Sequence, residues 1–271
     1  MHIQLTSRAP RILGVVNVTP DSFSDGGLYL DPERAAARAR EQWAAGADWA
    51  DLGPASSHPA APATSAAEEL RRLAPVLDRL EGEGRRLSVD SFLPETQRYA
   101  LARRVGMLND VRGFPDPALY PALAAADSLL VIMHAWPRGE ERPEPARLLA
   151  RIEAFFAART AALEKAGVAR ARLILDPGMG FFLSSDPAPS LAVLRGLRGL
   201  RERLGAPLLI GVSRKGFLGE LTGRPVNERG AATLAAELFA AEQGVDFIRT
   251  HDVAALRDAL RVQAALREPA P

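Results

Sequence analysis

Residues 11–18 read RILGVVNV, a short apolar, β-branched run that ends at the polar Asn17. Such a run is typical of a strand that is buried on both faces of a parallel sheet. Seven similar runs follow along the chain, and Ala-, Leu- and Arg-rich stretches with helical spacing separate them. The eight predicted strands span residues 11–18, 47–53, 86–91, 107–111, 129–134, 172–176, 207–212 and 246–251.

Eight strands that alternate with helices within 271 residues predict an α/β chain that closes into a single (β/α)8 TIM barrel. An open, doubly wound sheet more often stops at five or six strands. No Gly-, Ser- or Pro-rich linker divides the sequence, so we expect one domain over residues 1–271. In a barrel of this kind the active site lies at the C-terminal ends of the strands.

Composition limits the possible functions. The absence of cysteine excludes disulfides, thiol nucleophiles and thiolate metal sites, so a bound metal would have oxygen or imidazole ligands, which favours Mg²⁺ over Zn²⁺. A net charge of +1, with scattered basic residues, predicts no nucleic-acid or membrane partner. The start of the chain lacks a signal-peptide pattern and no apolar stretch reaches membrane-spanning length, so we expect a cytoplasmic protein.

Polar residues recur where the predicted strands end, although a strand buried on both faces should be apolar throughout. Any one of them could be a helix N-cap or a turn former. Eight such coincidences are less plausible than one shared site, because these strand ends converge on one rim of a barrel. The residues are Asn17, Asp51, Asp90, Asn109 and Asp110, His134, Asp176, Ser213-Arg214-Lys215, Arg249 and His251.

The chemistry of this rim suggests its ligand. The carboxylates of Asp90 and Asp176 and the amide of Asn109 suit the edge of a flat heterocycle that carries N–H donors and a carbonyl. Arg249, Ser57 and His58 offer donors for a phosphate or diphosphate. Only two of the 34 basic side chains are lysines. We expect Lys215, one of the two, to be needed for its compact ammonium, which arginine cannot imitate.

Several of these segments together resemble the dihydropteroate synthase family, in the order that the family shows and over nearly the whole chain. The segments are NVTPDSFSDGG at 17–27, SVD at 88–90, ND at 109–110, DPG at 176–178, SRK at 213–215 and RTHD at 249–252. The resemblance implies that p-aminobenzoate displaces diphosphate from the hydroxymethyl group of a dihydropterin in folate biosynthesis, with Mg²⁺ on the diphosphate and Asn17 as its protein ligand.

The resemblance also implies a role for each matching residue. The pterin site corresponds to Asp90, Asn109, Asp176 and Lys215, and the diphosphate site to Asn17, Ser57, Arg249 and His251. The residues assigned to catalysis are Lys215, Asp176 and, on the mobile first loop, Phe23 and Asp25. Catalysis would be mainly electrostatic, because the electron-rich pterin stabilises a cation as diphosphate leaves, and closure of residues 21–27 would exclude water.

The chain departs from the usual family pattern near the p-aminobenzoate side, which we assign to His58, Pro59, Phe181, Phe182 and Gly216. Residues 51–59 read DLGPASSHP, so that His58 stands for the usual arginine; Ala55, which stands for the usual acid, is the one departure that does not fall near this side. Gly216 replaces a serine, and Phe181-Phe182-Leu183 replaces Phe-Gly-Lys. These features resemble the sulfonamide-insensitive branch of the family, and they predict reduced sulfonamide sensitivity through the bulk of Phe181, Phe182 or Phe217.

Two other functions remain open from the sequence. A corrinoid-linked methyltetrahydrofolate methyltransferase would share the pterin pocket but would not need Arg249, His251 or the long first loop. A pterin-binding paralogue with an impaired second-substrate site would agree with Ala55, His58 and Gly216. The resemblance further implies a homodimer, for which the Ala- and Leu-rich C-terminal helices could supply an apolar face.

Overall fold

The computed structural model describes residues 9–19, 31–56, 61–137 and 144–267, with the side chains of residues 145 and 146 left aside. Parallel strands and helices alternate through these ranges. The strands are β1 (Arg11–Asn17), β2 (Trp49–Gly53), β3 (Leu87–Asp90), β4 (Met107–Asp110), β5 (Leu129–Met133), β6 (Leu173–Asp176), β7 (Leu209–Ile210) and β8 (Phe247–Thr250). The α-helices are α1 (Pro32–Ala44), α2 (Ala66–Arg79), α3 (Pro94–Ala102), α4 (Tyr120–Ala125), α5 (Pro145–Lys165), α6 (Pro187–Leu204), α7 (Gly216–Thr222), α8 (Gly230–Glu242) and α9 (Val253–Arg267).

The sheet closes on itself. Its strands pair in parallel in the order β6-β5-β4-β3-β2-β1-β8-β7. An isolated bridge between Leu175 and Leu208 joins β6 to the start of β7, and the Leu175 amide donates to the carbonyl of Pro207 at 2.9 Å. The prediction of a (β/α)8 barrel is therefore confirmed.

Each predicted strand is present but shorter by one or more residues. The difference is largest at β7, where only Leu209–Ile210 is assigned out of the predicted 207–212. The Lys215 amide donates to the carbonyl of Val212 at 3.1 Å, so the chain has already turned there. Pro207 lacks an N–H and can only accept in the ladder.

Strand alternation divides the apolar core into two parts. A small inner cluster fills the barrel with side chains from seven of the strands: Leu13, Trp49, Met107, Leu129, Val131, Ile174, Leu209 and Phe247. A larger cluster lies between the strands and the surrounding helices. Because successive side chains of a strand point to opposite faces, residues two and four positions beyond the inner cluster also face the barrel interior.

Helices α1 and α6 begin where the sequence supplies a side-chain cap. The Asp31 carboxylate accepts the amide of Glu33 at the start of α1, and Asp186 accepts that of Ala188 at the start of α6. Pro32 and Pro187 follow directly at the first helical position, where a missing N–H does no harm. Within the described residues, no helix is long and apolar enough to cross a membrane.

Candidate active site

A cavity of about 700 Å³ opens above the inner cluster, at the C-terminal ends of the strands. This volume is ordinary for a small-molecule site. The strand and strand-end residues that line the cavity occupy the positions that strand alternation predicts to face inward. They are Val15, Asn17, Gly53, Asp90, Asn109, Val111, Met133, Asp176, Gly211, Ser213, Arg249 and His251.

Arg249 joins two carboxylates at the base of this cavity. Its Nε donates to Asp51 Oδ2 at 2.6 Å, and its Nη2 donates to Asp90 Oδ2 at 3.0 Å. The Asp51 side chain is fully buried. A guanidinium has five N–H donors, so Arg249 can hold both carboxylates and still offer N–H groups to a ligand.

Burial controls the charge of the two carboxyls that face the cavity. Burial raises the pKa of Asp90 to about 7; the Arg249 guanidinium opposes the shift, and the Asp51 carboxyl adds to it. Burial also raises the pKa of Asp176 to about 6, although its Oδ1 accepts the Gly178 amide at 2.8 Å. Both groups therefore stand close to a change of protonation near neutral pH.

Asn109 supplies a third acceptor beside them. It is paired with Asp90 across the β3–β4 ladder and is only 3% exposed. Its Oδ1 is buried and has no hydrogen-bond partner among the described residues. An orphaned acceptor of this kind costs free energy unless a ligand satisfies it.

Two of the predicted rim residues face the other way. Asp110 accepts the side chain of Gln97 and the amides of Arg112 and Phe114, and its position after Asn109 turns it toward the helices. His134 packs edge-on against Phe155, with ring centroids 5.2 Å apart. Neither lines the cavity, so the prediction that all polar strand ends contribute was wrong for these two, which are structural.

Lys215 crosses the cavity wall just before α7. Its Nζ donates to the carbonyl of Met179 at 3.0 Å and lies 5.2 and 4.6 Å from the ring centroids of Phe181 and Phe182. Burial lowers its pKa to about 8, although the Asp176 carboxylate opposes the shift. Gly180 has a positive φ of 62°, and a Cβ there would stand 3.0 Å from Lys215 Cδ, so glycine permits this approach.

His251 is held by Ser213. The serine Oγ lies 2.9 Å from His251 Nδ1 and accepts the His251 amide at 3.2 Å. Burial lowers the pKa of His251 to about 3, and the nearby Arg249 cation adds to the shift. The imidazole is therefore neutral, and Nε2 is the ring nitrogen that Ser213 leaves available.

Asn17 is an exposed side chain at the edge of the cavity. Within the described part of the chain, no group of three or more His, Asp or Glu side chains could hold a metal ion by itself. Mg²⁺ often keeps several waters and binds through substrate phosphates with one or two protein oxygens. A single amide oxygen at Asn17 fits that mode of binding, but it does not form a closed metal site.

Phe181, Phe182 and Gly216 lie together on one side of the cavity. The two phenylalanine rings are in contact, with centroids 4.3 Å apart. A Cβ at Gly216 would meet nothing within 4 Å, so the missing side chain leaves open space. Five predicted site residues lie outside the described residues: Phe23, Asp25, Ser57, His58 and Pro59.

The sequence-based assignment left out two residues that the structure joins to the site. Asp51 was recognised as a polar strand end but was given no role; it lies directly beneath Arg249. Ser213 orients the His251 ring. For both residues, the signal in the sequence was a polar side chain near the C-terminal end of a predicted strand. The sequence did not show their partners, Arg249 and His251, because these lie far away along the chain.

Comparison with known proteins agrees with this geometry. The pterin binding enzyme family matches residues 13–251. The type-2 dihydropteroate synthase of Escherichia coli is 55% identical over 262 residues, which cover 96% of this chain and 97% of the relative. Xanthomonas albilineans dihydropteroate synthase with 4-aminobenzoic acid is 42% identical, with a TM-score of 0.88 over 98% of this chain and 96% of that one. The same enzyme in complex with 7,8-dihydropteroate gives a TM-score of 0.85 at 42% identity, over 98% of this chain and 97% of that one.

Proposed function

This chain belongs to the dihydropteroate synthases of the pterin binding enzyme family, and we propose that it condenses 6-hydroxymethyl-7,8-dihydropterin diphosphate with p-aminobenzoate. The products are 7,8-dihydropteroate and diphosphate. The observation that carries the proposal is the buried, unpartnered oxygen of Asn109 beside Asp90 and Asp176. These acceptors complement the N–H groups along one edge of a pterin.

We assign the pterin to the inner end of the cavity. Asp90, Asn109 and Asp176 accept its N–H groups, and Lys215 donates to its polar edge. Since the pKa values of Asp90 and Asp176 lie near neutrality, N–H donors and a developing positive charge favour their ionised forms. Binding and ionisation of these carboxyls are therefore coupled.

We assign the diphosphate to the side of the cavity lined by Asn17, Arg249 and His251, with Ser57 as a further ligand. Arg249 keeps N–H groups free after binding Asp51 and Asp90, and neutral His251 can donate from one ring nitrogen. When bound, Mg²⁺ would neutralise negative charge on the diphosphate oxygens, and the Asn17 amide oxygen would be its protein ligand. No acid–base residue is needed at this end, because diphosphate is already a good leaving group.

The chemistry follows from these positions. The bond between the exocyclic carbon and the diphosphate oxygen breaks, and its electron pair leaves with diphosphate. The amine of p-aminobenzoate attacks the carbon, a C–N bond forms, and the amine proton passes to solvent. Ionised Asp176 stabilises positive charge on the ring, while Arg249 stabilises the leaving anion. The first loop, with Phe23 and Asp25, would exclude water from the cation.

Release of diphosphate and formation of dihydropteroate test this proposal directly. The purified protein is incubated with dihydropterin diphosphate, p-aminobenzoate and Mg²⁺, and both products are measured. A corrinoid-linked methyltransferase would release no diphosphate. A pterin-binding paralogue with an impaired second site would bind the pterin but form no dihydropteroate, and either result would refute the assignment.

Reduced sulfonamide sensitivity is part of the proposal. Phe181 and Phe182 are in contact with each other beside Lys215, and we assign this side of the cavity to p-aminobenzoate; the other residues assigned to that substrate, His58 and Pro59, lie outside the described residues. A sulfonamide extends beyond the p-aminobenzoate outline and meets this bulk. Apolar exclusion of this size is worth about 1–3 kcal/mol, which is roughly 5- to 150-fold in the inhibition constant. Phe217 is 1% exposed and serves mainly as packing.

Alanine substitutions separate the two rings. We expect Phe182→Ala or Phe181→Ala to lower the inhibition constant for sulfamethoxazole at least fivefold, while the KM for p-aminobenzoate changes less. Phe155→Ala is the matched control, because Phe155 is a partly buried phenylalanine on α5 that does not line the cavity. Equal inhibition of the parent and both site variants would eliminate the steric explanation.

A homodimer is also proposed. Phe239 on α8 and Val262 and Leu266 on α9 are exposed apolar side chains, and α8 and α9 pack together. Light scattering coupled to gel filtration should give twice the 29.1 kDa chain mass. A Leu266→Glu variant should shift the protein toward monomer; a parent that is monomeric at micromolar concentration would contradict the proposal.

We place the enzyme in the cytoplasm. The absence of cysteine agrees with this placement, because proteins that fold in oxidising compartments commonly use disulfides. Cell fractionation with an antibody against the chain tests the placement. Recovery in the membrane or extracytoplasmic fraction would contradict it.

A further inference from the structure

Glu237 is a buried acid that the proposed reaction does not use. It lies in the middle of α8 and is 1% exposed. The Thr250 side chain lies close enough to this carboxyl group to affect its pKa, while Oε1 has no partner among the described residues. A buried carboxyl on an otherwise Ala- and Leu-rich helix costs free energy, so its presence calls for a physical reason.

The carboxyl begins a line of hydroxyl groups that ends at His251. Thr250 is fully buried on β8, and its Oγ1 lies 3.5 Å from Ser213 Oγ. Ser213 Oγ in turn lies 2.9 Å from His251 Nδ1. The line therefore connects the helix layer outside the barrel with a ring that lines the cavity.

The protonation state of Glu237 fixes the direction of these bonds. A hydroxyl has one hydrogen and accepts at two lone pairs. Thr250 Oγ1 accepts the amide of Asp252, and Ser213 Oγ accepts the amide of His251. If the Glu237 carboxyl is protonated, it donates to Thr250, Thr250 donates to Ser213, and Ser213 donates to His251 Nδ1. Every hydrogen then has an acceptor, and the imidazole hydrogen must lie on Nε2.

An ionised Glu237 would break this order. The Thr250 hydrogen would turn to the carboxylate, and Ser213 would lose the donor that commits its own hydrogen to His251 Nδ1. Burial raises the pKa of Glu237 to about 8, and the Asp252 carboxylate adds to the shift while Thr250 opposes it. The neutral acid is therefore the form present at neutral pH.

We propose that Glu237 is a positioning residue, which acts through Thr250 and Ser213 to hold His251 as the Nε2–H tautomer. This form presents an N–H donor to an anionic oxygen rather than a lone pair. The inference rests on the proposed function in one respect: His251 Nε2 is taken to face the diphosphate. The tautomer itself can be measured without substrate or turnover.

Nitrogen NMR of histidine tests the tautomer. The chain has four histidines, so the signals of His251 are identified by their loss in a His251→Gln variant. We expect the parent to show the Nε2–H form, and Thr250→Val and Glu237→Leu to show a mixture of tautomers. Glu237→Gln should restore the parent form, because its amide N–H can donate to Thr250 as the protonated acid does. An Nδ1–H form in the parent, or an unchanged ring in Thr250→Val, would overturn the inference.

Kinetics give a second readout that general destabilisation would not reproduce. We expect Thr250→Val and Glu237→Leu to raise the KM for dihydropterin diphosphate about tenfold, the loss of one positioned donor to an anion. The KM for p-aminobenzoate should stay within twofold, and Glu237→Gln should recover most of the loss. Glu242→Gln is the matched control, since Glu242 is exposed at the end of the same helix.

The two readouts separate the two hypotheses. An inactive parent with the Nε2–H form would contradict the proposed function and leave the positioning inference standing. An active parent whose KM values do not respond to Thr250→Val would refute the positioning role. If Glu237→Leu fails to fold, the nearly isosteric Thr250→Val still decides the question.

Discussion

Replacement of Asp176 by asparagine should make the ligand-free protein more stable while it destroys activity. Asp176 is 6% exposed, and asparagine has nearly the shape of its protonated carboxyl. The side-chain oxygen can still accept the Gly178 amide, which lies 2.8 Å away. The substitution therefore removes little except the ability to ionise.

The size of the effect follows from the pKa of Asp176. Burial raises it from the ordinary 3.8 to about 6, and each tenfold change in proton affinity corresponds to about 1.4 kcal/mol. At neutral pH the ionised carboxylate thus costs roughly 3 kcal/mol. The Asn variant should recover about 2–3 kcal/mol, which is roughly 4–6 °C in Tm for a chain of this length.

The gain should depend on pH in a defined direction. Since the pKa of Asp176 is raised on folding, the native state holds this proton more tightly than the unfolded chain does. The parent therefore loses stability as the pH rises from about 4 to about 6. The variant has no such loss, so the difference is absent below about pH 4 and complete above about pH 7.

Urea unfolding of parent and variant at pH 4 and pH 7.5 measures this difference, and a dihydropteroate assay measures the loss of turnover. Asp186→Asn is a suitable control, because Asp186 accepts the amide of Ala188 as an N-cap near the surface. A variant at Asp176 that is no more stable than the parent at pH 7.5 would refute the account of burial. Retained turnover would refute the role of its charge.

Three further substitutions test other parts of the site. Lys215→Arg should lower kcat at least about 100-fold, because the guanidinium is too wide for the space beside Gly180; near-parental turnover would refute this role. The serine side chain of Gly216→Ser should fit the open space beside residue 216. It should lower both the KM for p-aminobenzoate and the inhibition constant of sulfamethoxazole about three- to tenfold. A rise in either constant would mean that the ligands themselves occupy this space. Asp51→Asn should reduce the free energy of unfolding by roughly 1.5–3 kcal/mol, the range for a hydrogen bond to a charged group, which urea unfolding measures. It should also lower the pKa of Asp90, which the pH dependence of kcat/KM measures. An unchanged pH dependence would contradict the electrostatic coupling between Asp51 and Asp90.

The barrel was predictable because its strands are buried on both faces. Runs such as 129–133 and 173–175 are apolar without alternation, which is typical of parallel strands. Burial on both faces also left the orientation of each side chain undetermined from the sequence. Where both faces are apolar, no polar–apolar alternation shows which positions point inward, so Asn109 and its neighbour Asp110 could not be distinguished.

The side-chain pairs within the site also could not be predicted from the sequence. Arg249 was predicted as a diphosphate ligand from its place after the last strand, but its bond to Asp51 joins residues 198 positions apart. That contact depends on closure of the barrel and on the β1–β8 and β1–β2 registers, in which Leu13 pairs with both Arg249 and Trp49. Glu237 gave no signal at all, because glutamate is ordinary on a helix and only burial makes it unusual.

The alternation that fills the barrel also explains why its upper end is chemically demanding. On six of the seven strands that contribute to the inner cluster, the residue two positions beyond a cluster residue lines the cavity, and Asp176, two positions after Ile174, is one of these. Asp90 and Lys215 line the same cavity from β3 and from the start of α7. All three lie where burial opposes their charge, and their pKa values are shifted accordingly. The burial of these charges lowers the stability of the ligand-free protein. A ligand with complementary N–H groups and charge removes that cost, so binding should stabilise the protein more than a sum over its individual contacts predicts.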